Sequence, residues 1–229
     1  MKKFQLILLA TAIMVFAAGS ANAVTLTLFD AANSAITDFS YTVSGTTVEI
    51  FENWTKVGFG FVMFEGMEDE VDYTIIKHIT NNSGKDWTSF TNEILDPLGQ
   101  EEDLLDPTPY PYYVPAGYST SNNADGLSFA QGSGIPRTST SFPSLYVDEL
   151  FHVRDFLEFS GGTVLGTGGT DLMSFGLRDN HVVPGAVFNQ PFLLAQLPNE
   201  RVIPEPATLI LLGTGLAGAG FLRRRKAAK

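Results

Sequence analysis

The sequence predicts an all-β domain built as a single β-sandwich, of the immunoglobulin-like or jelly-roll-like kind. Short runs of β-branched and aromatic residues alternate with turns rich in Gly, Asn and Ser, which is typical of stacked sheets. No segment shows a convincing helical i, i+3, i+4, i+7 stripe, and residues 146–159, the nearest to one, fit a strand equally well. The chain also contains 18 Phe residues. We therefore expect aromatic rings to fill the space between the two sheets.

The first half of the chain predicts five strand segments joined by polar turns. They are residues 25–28, 40–50, 57–64, 71–80 and 87–95. Ser44-Gly45, inside the second segment, is a hairpin signal. Asn81–Asp86 is rich in turn residues, so we expect a reversal there, with the Asn82 side chain capping the turn. The strand that follows would place Trp87 and Phe90 in the core.

The second half predicts further strands after a long interruption. They are residues 145–159, 163–165, 171–177, 181–188 and 192–197, with turns at Gly161-Gly162 and at residues 166–169. Residues 96–143 contain seven prolines and many Gly, Ser and Asn residues. A connection of that length is uncommon inside a compact domain. We therefore interpret it as a loop that is either functional or mobile.

The N-terminal residues 1–23 have the pattern of a secretory signal peptide. Two lysines follow Met1, residues 4–18 are mostly apolar, and Ala21-Asn22-Ala23 has the small-x-small pattern of a cleavage site. We expect signal peptidase to cut after Ala23, so that the mature chain starts at Val24. The alternative is an N-terminal membrane helix, but Gly19, Ser20 and Asn22 interrupt the apolar stretch where a peptidase would cut.

The C-terminal residues 201–229 combine three elements in a fixed order. Pro204 and Pro206 lack an N–H and hold the chain extended, which leaves the Glu205 carboxylate exposed between them. Residues 207–222 carry no charge and would form a helix about 24 Å long, shorter than the ~30 Å bilayer core. A basic cluster follows at Arg223, Arg224, Arg225 and Lys226. The positive-inside rule keeps this cluster in the cytoplasm and places the bulk of the chain outside.

These ordered elements resemble the PEP-CTERM sorting signal of Gram-negative bacteria that make exopolysaccharide. The triplet Pro204-Glu205-Pro206, the Ala and Thr after it, the Leu/Gly-rich span and the arginine cluster all match. The chain departs from the pattern at Ile203, where the family usually has Val. The alternative is a plain C-terminal membrane anchor, which needs neither the triplet nor so short a span.

The resemblance implies recognition by exosortase, a membrane-embedded cysteine transpeptidase that cleaves near the triplet. The expected precursor is anchored in the inner membrane by residues 207–222, with a periplasmic ectodomain at residues 24–200. Cleavage would release this ectodomain or transfer it to an envelope acceptor. The final location would then be the outer surface or the extracellular matrix, in contact with exopolysaccharide.

The exported part of the chain is strongly acidic. Residues 24–206 contain all 25 acidic residues and only seven of the 14 basic ones, a net charge of −18. Such a field repels nucleic acid and anionic lipid, so we expect no nucleic-acid partner. The chain has no cysteine. We therefore expect stability to come from packing or from metal, without cross-links.

Two features suggest binding by the ectodomain, and each has a simpler explanation. Four tyrosines in the long loop would form a platform for sugar rings, or would pack over the sandwich: Tyr110, Tyr112, Tyr113 and Tyr118. Two acidic clusters would offer oxygen ligands to calcium, or would be solvated surface: Glu65, Glu68, Asp69, Glu70 and Asp72, then Glu101, Glu102, Asp103 and Asp106. Neither cluster has the spacing of a calcium loop, so we predict no metal site.

The sequence does not indicate catalysis. It lacks the common nucleophile, metalloprotease and nucleotide-binding motifs, and His78, His152 and His181 are isolated. We expect no cofactor and no enzymatic activity. The expected function is structural or adhesive, with a carbohydrate- or calcium-dependent binding module as the alternative and a secreted hydrolase as the third choice.

Overall fold

A computed structural model of the chain describes residues 24–97, 112–121, 127–149, 154–179 and 191–199. In this part of the chain the regular structure consists of strands, and no helix there is long and apolar enough to cross a membrane. The strands are β1 Thr25–Leu28, β2 Ile36–Ser44, β3 Thr47–Trp54, β4 Gly60–Glu65, β5 Asp72–Asn81, β6 Trp87–Pro97, β7 Tyr118–Thr120, β8 Leu127–Ser128, β9 Thr138–Ser139, β10 Ser144–Asp148, β11 Phe156–Val164, β12 Gly169–Asp179 and β13 Phe192–Pro198.

Two packed sheets form the domain, as the sequence predicts. The seven-stranded sheet has the order β1-β4-β13-β6-β11-β10, with β7 paired to β6. The six-stranded sheet has the order β2-β3-β5-β12-β8, with β9 paired to β12. The described strand pairs are antiparallel except for β3 and β5, which run parallel. The expected signal helix in residues 1–23 and transmembrane helix in residues 207–222 lie outside the described residues.

The core between the sheets follows from the period-two alternation of the strands. In β5, every second residue from Tyr73 to Asn81 is buried, and the residues between them are half-buried. Trp54 lies at the centre of the core, with T-shaped contacts to Trp87 at 5.5 Å and Phe90 at 5.6 Å between ring centroids. The predicted placement of Trp87 and Phe90 in the core is therefore confirmed, and seven of the Phe side chains are buried in the same cluster.

Part of the outer face of the seven-stranded sheet, around β13 and β6, is buried as well. Every residue of β13 is buried, because a second apolar cluster lies on the far side of this sheet. Leu95, Leu193 and Leu197 form its base, and Tyr113 covers them from residues 112–121. A strand covered on both faces has a nearly continuous apolar sequence, which explains the Leu-rich pattern of residues 192–197, where Gln196 is the polar exception.

Three expectations about the connections were wrong. Gly161-Gly162 is not a turn; it lies inside β11, where the register with β6 shifts between Ser160 and Val164. Residues 145–159 do not form one strand, since β10 ends at Asp148 and β11 begins at Phe156. Residues 96–143 are not one long loop, because three short strands within them pair with β6 and β12. The predicted strand at residues 181–188 lies outside the described residues.

Gly162 is expected to be intolerant of any side chain. A Cβ atom at this position would lie 1.7 Å from the carbonyl oxygen of Ser141, a backbone atom that cannot swing away. We predict that Gly162→Ala lowers the free energy of unfolding by about 1–3 kcal/mol, as overpacking does. Gly58→Ala is the matched control, because its Cβ would make an ordinary 3.6 Å contact with Ala35. Urea denaturation of both variants would test this, and an equal effect of the two would contradict the prediction.

Candidate functional site

A shallow groove on the outer face of the six-stranded sheet carries an exposed aromatic pair. Phe51 on β3 lies opposite Ser40 on β2 and opposite His78 on β5. The rings of Phe51 and His78 stack with centroids 4.5 Å apart and planes at 12°. Two rings this close cannot lie side by side in one plane, so they stand face to face on neighbouring strands.

The far face of the Phe51 ring therefore turns toward β2. Its partner there is Ser40, whose small side chain leaves the ring uncovered, and Phe51 is 37% exposed. The open groove beside it has a volume of about 570 Å³. The residues that line the groove come from β2, β3 and β5, and most of them are polar: Thr37, Asp38, Phe39, Ser40, Phe51, Glu52, Asn53, His78 and Thr80.

A row of hydrogen-bonded polar side chains borders this groove. Asn82 donates to the Asn53 side-chain oxygen at 2.7 Å, and Asn53 donates to the Asp38 carboxylate at 2.9 Å. The turn at residues 81–86 is capped by Asn81, whose Oδ1 accepts from the Ser83 N–H at 3.0 Å. The expected capping role of Asn82 was thus wrong, because its side chain joins the polar row. The groove combines one aromatic face with ordered carboxylate and amide groups.

The long loop predicted at residues 96–143 is anchored by a buried ion cluster. Arg154 donates from Nε to Glu93 Oε1 at 2.6 Å, and the Tyr113 hydroxyl donates to Glu93 Oε2 at 2.7 Å. Arg154 also contacts the Tyr113 hydroxyl, and its guanidinium lies 5.2 Å from the centroid of the Phe156 ring. Arg154, Glu93 and Tyr113 are all buried. The cluster therefore holds residues 112–121 against the outer face of the seven-stranded sheet.

The pKa values of Tyr113 and Arg154 are both raised, although burial acts on these two groups in opposite directions. Burial, together with the Glu93 carboxylate, raises the pKa of the Tyr113 hydroxyl, so it remains a hydrogen-bond donor. Burial alone would lower the pKa of Arg154, but the hydrogen bonds and charge of Glu93 outweigh it and raise that pKa. Arg154 thus keeps its positive charge, and Tyr113 stays a neutral phenol.

Those tyrosines of the loop that the structure describes, Tyr112, Tyr113 and Tyr118, do not form one exposed platform. Tyr113 is buried and stacks on Phe59, and Tyr118 is half-buried against Phe29. For these two, the structure shows packing over the sandwich. Tyr112 is 78% exposed, and Tyr110 lies outside the described residues.

The first acidic cluster is dispersed in the structure. Asp72 pairs with Arg178 at 3.2 Å, Glu65 accepts from Thr25 at 3.4 Å, and Glu68 and Glu70 are exposed. Among the described residues, no group of three or more His, Asp and Glu side chains is placed to hold a metal ion. The second cluster, at residues 101–106, lies outside those residues.

A polar network crosses the centre of the core, and the sequence analysis missed it. Lys77 Nζ lies 3.6 Å from Glu52 Oε2, donates to Asn92 Oδ1 at 2.9 Å, and donates to Gln196 Oε1. Gln196 Nε2 donates to Glu52 Oε1 at 2.6 Å, and Trp54 Nε1 donates to Glu52 Oε2 at 3.2 Å. The sequence does contain a signal for this network, because Lys77 falls at an inward position in the alternation of buried and half-buried residues along β5.

Burial has the largest influence on the pKa of Lys77. The side chain is fully buried, and this lowers the pKa of its ammonium to about 8, against the opposing charge of Glu52. The amine also lies 4.5 Å from the centroid of the Phe90 ring. A buried Lys–Glu pair is a weak source of stability, since desolvation offsets most of the attraction.

The two packed sheets define the exported part as an all-β sandwich module. A family model described as the PEP-CTERM protein-sorting motif matches residues 202–226. The chain therefore carries a PEP-CTERM sorting motif, and Pro204, Glu205, Pro206 and the basic residues 223–226 all lie within it. The motif implies an exported protein that starts as a membrane-anchored precursor and is processed by exosortase. Comparisons with curated proteins and with solved structures found no match.

Proposed function

We propose that this protein is a structural or adhesive component of the cell envelope, delivered by exosortase to the outer surface or extracellular matrix. The observation that carries the proposal is the sorting motif at residues 202–226, attached to an all-β sandwich module. The partners are signal peptidase at Ala21–Val24, exosortase at Pro204–Pro206, and exopolysaccharide. The function is proposed as non-enzymatic.

The chemistry of the tail supports this route. From the sequence, the prolines at 204 and 206 are expected to favour an extended backbone around Glu205, which a protease can bind as a strand with one charged side chain. Cleavage near this triplet separates the ectodomain from the apolar span and from the basic residues 223–226. The net charge of −18 keeps the ectodomain soluble and repels anionic lipid.

Glu205→Ala tests the proposed processing. We expect the variant to accumulate as a membrane-held precursor, because exosortase loses the carboxylate between the two prolines. Membrane fractionation and immunoblotting of the exported chain would measure the ratio of precursor to mature form. The matched control is Glu200→Ala, which removes an acidic residue just outside the matched motif and should mature normally. Normal maturation of Glu205→Ala would contradict the assignment.

Carbohydrate binding is the second candidate function, and the groove beside Phe51 favours it. An exposed aromatic face bordered by ordered carboxylate and amide groups can stack a sugar ring and bind its hydroxyls. A neutral glycan fits better than an acidic one, because residues 24–206 carry a net charge of −18.

Phe51→Ala is expected to weaken glycan binding about tenfold, since a lost aromatic partner costs on the order of 1.5 kcal/mol. Glycan-array binding with and without EDTA would measure this and would also report any dependence on calcium. Leu172→Ala is the matched control: it removes an exposed apolar side chain opposite His78, outside the groove lining. If Phe51→Ala and Leu172→Ala bind glycan equally well, the groove is not the glycan-binding site. Hydrolysis of exopolysaccharide would instead support the third choice, a hydrolase.

A further inference from the structure

Four polar side chains meet in the middle of the sandwich, where apolar side chains would be expected. Lys77 and Glu52 come from β5 and β3 of the six-stranded sheet, and Gln196 and Asn92 come from β13 and β6 of the other sheet. Gln196 and Asn92 are direct partners across the β13–β6 ladder. All four residues are buried, and Lys77, Asn92 and Gln196 have no exposed surface. The Lys77 side chain thus reaches across the core and contacts two carboxamides of the opposite sheet.

The groups that meet here are those needed to form an amide bond. An amine is the nucleophile, a carboxamide is the electrophile, and a carboxylate can carry protons between them. Lys77 Nζ contacts Gln196 Oε1, while Glu52 lies 3.6 Å from Nζ and 2.6 Å from Gln196 Nε2. Glu52 therefore touches both the attacking nitrogen and the nitrogen that would leave.

The environment of the amine makes its reactive, neutral form easier to reach. A neutral amine and a neutral carboxylic acid are easier to bury than an ammonium and a carboxylate, because desolvation disfavours charge. Burial lowers the pKa of Lys77 to about 8, so its proton is removed at a smaller cost in free energy than that of an exposed lysine. The Phe90 ring and the Trp54 indole enclose the site and keep water out.

We propose that Lys77 and Gln196 form an intramolecular isopeptide bond across the sandwich, with Glu52 as the catalytic proton carrier.

The reaction is balanced by the loss of one ammonia. Glu52 first takes a proton from the Lys77 ammonium, and the free Nζ lone pair then attacks the side-chain carbonyl carbon of Gln196. Glu52 gives a proton to Nε2 and accepts one from Nζ as the bond between Nε2 and the carbonyl carbon breaks. The products are a secondary amide and ammonia, and Glu52 retains one proton, which it can pass to the ammonia as this leaves. No oxidant or other co-reactant is needed.

Gln196 is the electrophile because of where its nitrogen lies. Its Nε2 donates to the Glu52 carboxylate, which can protonate it as it leaves. The Nδ2 of Asn92 instead faces the sulfur of Met173 at 3.8 Å, and sulfur is no proton donor there. Asn92 accepts a hydrogen bond from Nζ at 2.9 Å and thereby positions the amine.

The amide bond between Lys77 and Gln196 would link the two sheets covalently, as a disulfide cannot do in a chain without cysteine. The chain has no cysteine, yet the linked residues are 119 positions apart and lie in different sheets. Closing so long a loop restricts the unfolded chain strongly. The early expectation that stability comes without cross-links would therefore be revised, and an exported matrix protein would gain resistance to unfolding and proteolysis.

Peptide mapping of the purified exported protein tests the proposal. An acylated Lys77 is not cut by trypsin, so we expect peptide 57–85, uncut at Lys77, joined to peptide 179–201. The joined mass should be lower than the sum of the two peptides by one ammonia. Cleavage after Lys77 together with a free peptide 179–201 would overturn the proposal. A link between peptides 57–85 and 86–137 would overturn it in favour of Asn92.

Substitutions test the roles of the three groups. Lys77→Met and Gln196→Met remove the nucleophile and the electrophile, and Glu52→Gln keeps both reactants but removes the proton carrier. We expect each of the three to abolish the link. Gln131→Met, which removes a glutamine outside this network, should retain it. A link that still forms in Glu52→Gln would overturn the role of Glu52. If a variant fails to fold, the tryptic peptide map of the unaltered protein still tests whether the link between Lys77 and Gln196 exists. This result is independent of sorting, because neither peptide includes the residues of the motif.

Discussion

Arg154→Met is expected to lower the free energy of unfolding by about 3–5 kcal/mol, because it leaves the buried Glu93 carboxylate without its counter-ion. Arg154 makes the bidentate contact to Glu93 and also touches the Tyr113 hydroxyl. Methionine fills much of the volume but supplies neither charge nor donors. Urea denaturation followed by tryptophan fluorescence would measure the loss. Limited proteolysis should also show faster cutting near residues 112–121, which this cluster anchors.

Two further variants separate the charge effect from a general loss of packing. Arg178→Met removes the cation of the partly exposed pair with Asp72, and such pairs contribute at most about 1 kcal/mol. Adding Glu93→Gln to Arg154→Met should restore part of the lost stability, because a neutral amide replaces the unpaired carboxylate. Equal losses for Arg154→Met and Arg178→Met would show that the buried pair has no special role.

Trp54→Ala is expected to destabilise the domain by a similar amount, about 3–5 kcal/mol, as large-to-small changes of buried aromatic residues do. Trp54 is fully buried and contacts both Trp87 and Phe90 edge to face. Its Nε1 also donates to Glu52, so the substitution leaves a buried carboxylate with one partner fewer. Thermal unfolding followed by circular dichroism would measure the effect without relying on the altered tryptophan signal.

Trp54→Phe isolates the hydrogen bond from the aromatic packing. It keeps a ring between the sheets, so we expect a clearly smaller loss than for Trp54→Ala. Val57→Ala, at a residue that is 51% exposed, should change the stability by no more than about 0.5 kcal/mol. A Trp54→Ala variant as stable as Val57→Ala would contradict the position of Trp54 at the centre of the core.

The fold was predictable where the sequence pattern is local. The alternation of residues 71–80 and the Ser44-Gly45 hairpin signal depend on near neighbours only, and both are confirmed, with Gly45 at a φ of 58°. The Gly161-Gly162 pair predicts a turn, whereas the structure has a bulge inside β11 there, because the cause of the bulge is distant in sequence. The Ser141 carbonyl packs against Gly162 and leaves no room for a side chain. The short strands β7 to β9 likewise exist only through partners on β6 and β12.

The same distinction applies to the candidate sites. The sorting motif is a continuous segment, so its residues could be read directly from the sequence. The groove could not be predicted, because Phe51 and His78 are brought together by the parallel pairing of β3 and β5. The core network joins Lys77 to Gln196 across two sheets. The sequence indicates this network only through Lys77, which falls at an inward position of an alternating strand.

Mass spectrometry of the mature C-terminus tests the central claim most directly. The account predicts that protein isolated from the cell surface or matrix of exosortase-containing cells ends close to Pro204–Pro206. It should lack the apolar span and the basic residues 223–226, and any group attached in the transfer would appear as added mass. A final product that retains the whole of residues 207–229 would contradict sorting by exosortase.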